Sequence, residues 1–326
     1  MDFKDLVIKN NVLFGTHDWL FLYGGDHSQF DYLTGKKQVS TQAKELFSKN
    51  MIYRKRLCES KGAQFLHVVF PCKPIVRTEF VPLAKREIKP IFDTSLKTDD
   101  VIYPLESLVA DLTSFYKSDT HTSHRGSLII LDIILAKLGI NLNYSPTFKS
   151  AKKLGDLTRM LNMDFTEEVQ NFVGIEGQSI RTLDVTNKAG LKGNSGIIRI
   201  TKSPNALLKK RILIFGDSFF NNNMIKIMTC FFEEITFFRS PILIECIVDW
   251  VAPDIVLTGQ AERYTSSAID DQGQIFPIIN YMNANFYDSS KVGNAFFMAL
   301  NAVFSKGRKP EVHEAWSDLV ASKLQG

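Results

Sequence analysis

The sequence predicts an α/β fold around a mostly parallel sheet, and three stretches carry that prediction. Ile212-Leu213-Ile214-Phe215 is a wholly apolar run that ends on Gly216-Asp217-Ser218-Phe219, the pattern of a buried strand turning into a helix. A helical pattern from Ser40-Thr41 to about Cys58 is followed, past the natural stop at Gly62, by a second apolar run, Phe65–Phe70, which Pro71 terminates. Asp254-Ile255-Val256-Leu257 supplies a third such strand. Helices alternating with fully apolar strands belong to parallel α/β units; a β-sandwich would alternate polar and apolar residues along each strand.

The remaining elements follow in order. Residues 12–22 read as a turn followed by a short apolar strand. Ser123 is placed to cap a helix that carries Leu128–Leu138 and ends at Gly139. Residues 140–210 scatter Gly, Asn, Ser and Lys and read as an irregular insertion or a strand-and-loop excursion. After the strand at 212–215 come a helix from about Phe219, a strand near Ile235–Phe238, a helix around Ile242–Trp250 and the strand at 254–257. Helical patterns return at Ala295–Phe304 and Glu311–Leu324. This reading gives one domain over 1–284 and a helical extension over 285–326.

Composition narrows the function classes. A chain of 326 residues with 44% hydrophobic and 23% charged residues can bury a sizeable core. The net charge of +4 is small, and the densest basic cluster, Lys209-Lys210-Arg211, leads directly into a buried strand, so no nucleic-acid partner is expected. Cys58, Cys72, Cys230 and Cys246 lie far apart with no metal-ligand spacing, and are expected as buried free thiols without a metal site. The first residues lack a basic segment followed by an apolar one, and no run of about 18 apolar residues offers a membrane span. As written the chain reads as cytoplasmic, or periplasmic if a targeting segment was removed.

Ser218 carries the first functional expectation. A serine between a buried strand and a helix sits at the carboxyl edge of a parallel sheet, where the helix N-terminus offers unpaired N–H groups. Acyl chemistry needs that pairing of an accessible hydroxyl with donors for an oxyanion. A base and an orienting acid must come from elsewhere. Of the six histidines, His67 lies in an apolar strand and reads as a satisfied core residue, and His313 as an exposed residue of the tail. His17 and His27 sit in loops without further signal. His121 stands apart because Asp119 precedes it by two, a spacing at which a carboxylate can hold an imidazole locally. Asp119 could equally begin a turn, and His124 is the competing base, although the helix start would aim it elsewhere. The strand at 254–257 leads into Gln260, Glu262, Arg263 and Tyr264, which would face the same crevice as the serine. Arg263 could hold an anion there, or pair with Glu262 merely to cap the next helix.

In this order the motifs resemble the alginate O-acetyltransferase-like proteins, an SGNH-hydrolase-like family that acetylates exopolysaccharides. The likeness spans most of 12–265. Its carriers are Gly15-Thr16-His17-Asp18-Trp19-Leu20-Phe21, Phe70-Pro71-Cys72-Lys73-Pro74 with Pro82, Asp119-Thr120-His121 with Gly126, Gly155-Asp156-Leu157, Gly216-Asp217-Ser218-Phe219, and Pro253-Asp254-Ile255-Val256 leading to Glu262-Arg263. The chain departs from the family at Thr122, where a Trp is usual, and at Asp18, where a Gly is usual. The resemblance implies a three-layer α/β/α fold. It implies Ser218 as nucleophile, His121 as base and Asp119 as its orienter. Gly216 and Asp217 would support the turn, and Arg263, Tyr264, Gln260 and Asn221 are candidates for the substrate or oxyanion. It further implies acetyl transfer to a carbohydrate acceptor from a separate acyl donor, no bound cofactor, and association with a polysaccharide-assembly system. Two alternatives stay open: an esterase with the same triad, and a silent carbohydrate-binding protein that keeps the fold.

Overall fold

The structure, a computed structural model, describes residues 6–25, 27–83, 87–178, 183–188 and 197–272. The helical extension expected over 285–326, His313 included, lies outside the described residues.

The chain opens with a small antiparallel sheet of β1 (Ile8–Lys9), β2 (Val12–Phe14) and β3 (Leu20–Leu22). Sequence reasoning expected one strand here and missed the hairpins. Their turns use paired left-handed residues, Asn10 and Asn11 (φ 49° and 62°) and then His17 and Asp18 (φ 55° and 64°). Short polar side chains tolerate that conformation, which explains how Asp18 stands where the resembled family has glycine.

Two helices follow, α1 (Gln29–Leu33) and α2 (Thr41–Ser60), the second capped by Ser40, whose side chain accepts from Ala43 N–H. Then come β4 (Gln64–Phe70), α3 (Lys73–Val76), β5 (Val101–Ile102), α4 (Leu105–Val109) and α5 (His124–Lys137). The Ser123 hydroxyl accepts from Gly126 N–H at 3.0 Å, as its position predicts.

The region 140–210 is more regular than expected. It forms the hairpin β6 (Pro146–Lys153) and β7 (Glu167–Ile175), joined through α6 (Asp156–Met160), and then β8 (Leu183–Lys188) and β9 (Ile197–Lys202). β8 and β9 are not an excursion, because they extend the main sheet. β8 is the edge strand and β9 lies between it and β11, and their sequences alternate apolar and polar residues, a weaker signal than the apolar runs of the sheet centre. Next come β10 (Leu208–Gly216), a helix whose turn over Phe220–Met224 is π-type, α7 (Ile225–Met228), β11 (Phe232–Phe238), α8 (Glu245–Val251) and β12 (Ile255–Ala261).

The seven-stranded sheet has the order β5-β4-β12-β10-β11-β9-β8, and only the pairings of β9 with β11 and with β8 are antiparallel. Alternate residues of the central strands feed two cores. Leu66, Val68, Ile212, Ile214, Ile255 and Leu257 pack with α5 and α7 on one face. Phe65, Val69, Leu213, Phe215 and Val256 pack with α2 and α8 on the other. Helices cover both faces, as buried parallel strands require.

Counted cyclically from β10, the five parallel strands run β10, β11, β12, β4, β5 and lie in the doubly wound order 2-1-3-4-5. The crevice of such a sheet opens beside its first strand, here between β10 and β12, at the carboxyl ends. Ser218 follows β10 and therefore stands at that crevice.

Gly126 lies against the backbone of the preceding loop: a Cβ there would sit 2.1 Å from Ser114 O, the carbonyl that also accepts Ser123 N–H. Gly126→Ala is expected to cost about 1–3 kcal/mol and to lower the thermal unfolding midpoint followed by circular dichroism.

Candidate active site

β10 ends on a glycine for a steric reason. Gly216 pairs in register with Gly259 of β12, and the Phe220 ring lies across both. A Cβ on Gly216 would fall 2.5 Å from Phe220 Cδ2, and one on Gly259 would fall 2.7 Å from Val68 O. Asp217 then fastens the turn. Its Oδ1 accepts Phe219 N–H at 2.9 Å, and its Oδ2 accepts Ala261 N–H, at the end of β12, at 2.8 Å. With both oxygens used in this way, Asp217 holds the turn against the neighbouring strand.

Asp119-Thr120-His121 forms the loop before α5, closed by the bridge from Phe115 to Thr122. Asp119 Oδ1 accepts from His121 N–H at 3.0 Å and from its ring Nδ1 at 2.8 Å. A carboxylate only accepts, so the imidazole proton sits on Nδ1 and the Nε2 lone pair is free to accept. Ser218 Oγ lies 2.9 Å from Nε2. Burial opposes ionisation of Asp119, but the His121 hydrogen bonds, together with the His121 and Lys153 charges, outweigh it and hold the carboxyl well below its usual range.

The other predicted residues fall around this line. Phe219 has its ring 5.0 Å from that of His121 and 5.9 Å from the Arg263 guanidinium, so Arg263 flanks the turn through Phe219. Arg263 also donates to Tyr264 Oη at 3.3 Å. It does not pair with Glu262, whose fully buried carboxylate accepts Cys72 N–H (2.7 Å), Ile91 N–H, Phe92 N–H and Tyr103 O–H (2.8 Å). Gln260 and Tyr264 line a cavity of about 220 Å³ with Gly216, Asp217 and His67. Asn221 donates its backbone N–H to Asp217 O, and its side-chain Oδ1 is buried without a partner.

His67 is buried as expected, its Nδ1 2.7 Å from Thr258 Oγ1. Its Nε2 has no partner, so the expected full satisfaction fails at that atom. His124 points away from the serine, accepting Phe172 N–H on Nδ1, and burial pushes its pKa down to about 4. Thr122, in place of the usual Trp, is buried and bonds Ser127 Oγ at 3.0 Å. Cys58, Cys72 and Cys230 are buried and free, as expected.

Three contributions escaped sequence reasoning. Asn222 Nδ2 reaches His121 Nε2 at 3.3 Å while Asn223 Nδ2 donates to Thr122 O at 2.6 Å, so consecutive asparagines of the π-type turn grip consecutive residues of the Asp–His loop. Asp156 accepts Thr120 N–H at 2.8 Å and lies 3.4 Å from His121 Nδ1. Lys73, almost fully buried, donates from Nζ to Lys117 O (2.7 Å) and Asp119 O (2.9 Å), with its charge over the Trp19 and Phe21 rings. Burial lowers its pKa to about 7. Both Asp156 and Lys73 stand in segments that carry the family resemblance, the one available signal for them.

The carboxylates of Asp119 and Asp156 and the His121 imidazole converge within 4.8 Å. The Lys153 ammonium, 3.1 Å from Asp119 Oδ2, supplies a positive charge beside this group. Among the described residues, no helix is long and apolar enough to cross a membrane.

No protein-family model matches the chain, and no curated protein sequence does. Solved structures do match. A DHHW family protein from Eubacterium siraeum has a TM-score of 0.53 at 14% identity, covering 81% of this chain and 94% of that one. Bacillus cereus PatB1, solved with a sulfonyl adduct, has a TM-score of 0.54 at 12% identity, covering 80% and 96%. The O-acetyltransferase domain of Pseudomonas putida AlgJ covers 84% and 99% at 17% identity and a TM-score of 0.48. The first two show that this α/β architecture is shared.

Lys73→Met removes the two bonds to the Asp119 loop and a titrating group. The folded pKa of Lys73 lies below the unfolded value of about 10.4, so the unfolded chain binds more protons between those two values. Wild type is expected to gain stability over the variant as pH rises from 7 to 9, by about 1 kcal/mol per unit. Chemical denaturation of both proteins at each pH measures this difference.

Proposed function

We propose that the chain is a serine-dependent O-acyltransferase of SGNH-hydrolase-like type that moves an acetyl group from a donor ester to a carbohydrate hydroxyl. The continuous hydrogen-bonded line from Asp119 through His121 to Ser218 carries this reading. The cyclic strand order supports it too. Asp119 and His121 come before Ser218 in sequence yet follow β5, the last strand of that count, so both halves of the line meet at one sheet edge.

In the first half-reaction Ser218 Oγ attacks the acyl carbonyl while His121 Nε2 takes its proton. Asp119 stabilises the imidazolium and keeps the ring oriented. Negative charge on the carbonyl oxygen meets the Ser218 backbone N–H, with Arg263, Gln260, Tyr264 and Asn221 as candidates for a second donor. The tetrahedral adduct collapses to acetyl-Ser218, and His121 returns the proton to the leaving oxygen. In the second half His121 deprotonates the sugar hydroxyl, which attacks the acetyl-enzyme and regenerates Ser218. The carbohydrate acceptor, the separate acyl donor, the absence of a bound cofactor and an association with a polysaccharide-assembly system follow from the family resemblance.

Ser218→Ala is expected to lower turnover of an activated acetyl ester by at least about a thousandfold, with an unchanged circular dichroism spectrum. PatB1 carries a sulfonyl adduct in its solved structure; an aryl sulfonyl fluoride is accordingly the probe, and should add one sulfonyl group to wild type, with loss of fluoride, and none to the variant. With an oligosaccharide present, mass spectrometry of the products should find acetylated sugar. Acetate alone would make the enzyme an esterase, and full activity in Ser218→Ala would remove the serine mechanism.

A further inference from the structure

The hairpin of β6 and β7 lies between the Asp–His loop and the serine strand in sequence, and the proposed chemistry makes no use of it. Its segment from Lys153 to Leu157 nevertheless presses on residues 118–121. Leu157 N–H donates to Ser118 O at 3.1 Å. Gly155 lies so close that a Cβ there would sit 1.9 Å from the same oxygen, so the contact admits only glycine. Asp156 accepts from Thr120 twice, through the backbone N–H at 2.8 Å and through the hydroxyl. Those two bonds aim the carboxylate at His121, leaving Oδ2 3.4 Å from Nδ1. Two residues before Gly155, Lys153 sets its ammonium 3.1 Å from Asp119 Oδ2, over the Tyr116 ring.

We infer that Asp156 is a positioning residue that shares His121 with Asp119, and that the Lys153–Asp156 segment completes the electrostatic seat of the imidazolium formed when Ser218 gives up its proton. The charge count supports this. With a neutral imidazole the two carboxylates and the ammonium sum to one negative charge; with the imidazolium the cluster is neutral. Asp119 is buried and held by hydrogen bonds, whereas the Asp156 side chain is 34% exposed and keeps its charge in contact with water. Asp156 thus adds a carboxylate without a second large burial penalty.

The other groups facing this cluster do not repeat that role. Ser218 and Asn222 reach Nε2 and carry no charge. Lys73 binds the backbone carbonyls of the loop, and Glu167 takes the Lys117 and Ser118 N–H groups. Arg263 stands beyond Phe219.

The test follows the His121 imidazole by NMR titration in three proteins, its signal assigned by its absence in His121→Asn. In Asp156→Asn the titration midpoint should move to lower pH, by about one unit or tenfold in proton affinity. In Lys153→Met it should move to higher pH. A merely structural brace would not produce shifts of opposite sign. The inference rests on the proposed acyl transfer only for its kinetic arm. There the acid limb of kcat/KM should shift with the midpoint, and kcat of Asp156→Asn should fall about tenfold with little change in KM. An unmoved midpoint in folded Asp156→Asn overturns the inference. If that variant does not fold, a Lys153→Met midpoint that stays put or moves down overturns it. Inactivity of wild type would remove the acyl-transfer reading and leave the titration to decide this one.

Discussion

One imidazole must reach two partners, and most of the site serves that constraint. His121 takes Asp119 on one nitrogen and Ser218 on the other, at 2.8 and 2.9 Å, although Ser218 lies 97 residues further along the chain. Neither contact could hold its geometry on a loose loop. The serine is held from below by the apolar strand β10, whose parallel neighbours β11 and β12 fix it on both sides. The imidazole is held by a loop that is itself bound at several points by buried polar groups. Asp217, Lys73 and the π-type turn each tie one of these two pieces to something rigid.

The ties are mostly side chain to backbone, which has a physical rationale. Chain segments that cross the end of a sheet cannot pair with one another as strands do, yet their N–H and C=O groups are buried and must be satisfied. Glu262 meets this need for three backbone N–H groups and a tyrosine hydroxyl at once, which fixes the start of α3 and residues 91–92 relative to the end of β12. Asp217 does the same on a smaller scale between the serine turn and β12. Burial alone would push the Glu262 carboxyl up in pKa, and the donors that surround it work against that rise. Such a residue sits in a signature motif without touching a reacting atom.

Legibility in the sequence followed the strength of local signals. Strands buried on both faces read as apolar runs, so β4, β10 and β12 were plain, as were the Ser40 and Ser123 caps. β8 and β9 were missed as members of the sheet, because strands whose sequences alternate polar and apolar residues resemble loop sequence when Gly and Asn surround them. The hairpins at residues 8–22 were missed because their turns use Asn, His and Asp in the left-handed region instead of glycine. Asp119, His121 and Ser218 were proposed from spacing and motif order, and the structure brings their side chains within hydrogen-bond distance. The amide that reaches His121 is that of Asn222, in the π-type turn, a contact with no counterpart in the sequence reading, which named its neighbour Asn221 only as a candidate for the substrate or oxyanion.

The sequence by itself determined the alternation of helix and buried strand, the turn that exposes Ser218, and the local pairing of Asp119 with His121. Each depends on residues near one another in the chain, where hydrophobic period, turn chemistry and spacing act directly. The tertiary structure alone decided which strand lies beside which, and so whether the two halves of the site meet. It also decided that Lys73, from α3, and the Lys153–Asp156 segment converge on one loop from two separate parts of the chain. Long-range convergence of that kind leaves no periodic trace, because a charged side chain looks the same in sequence whether it ends in water or against a carbonyl.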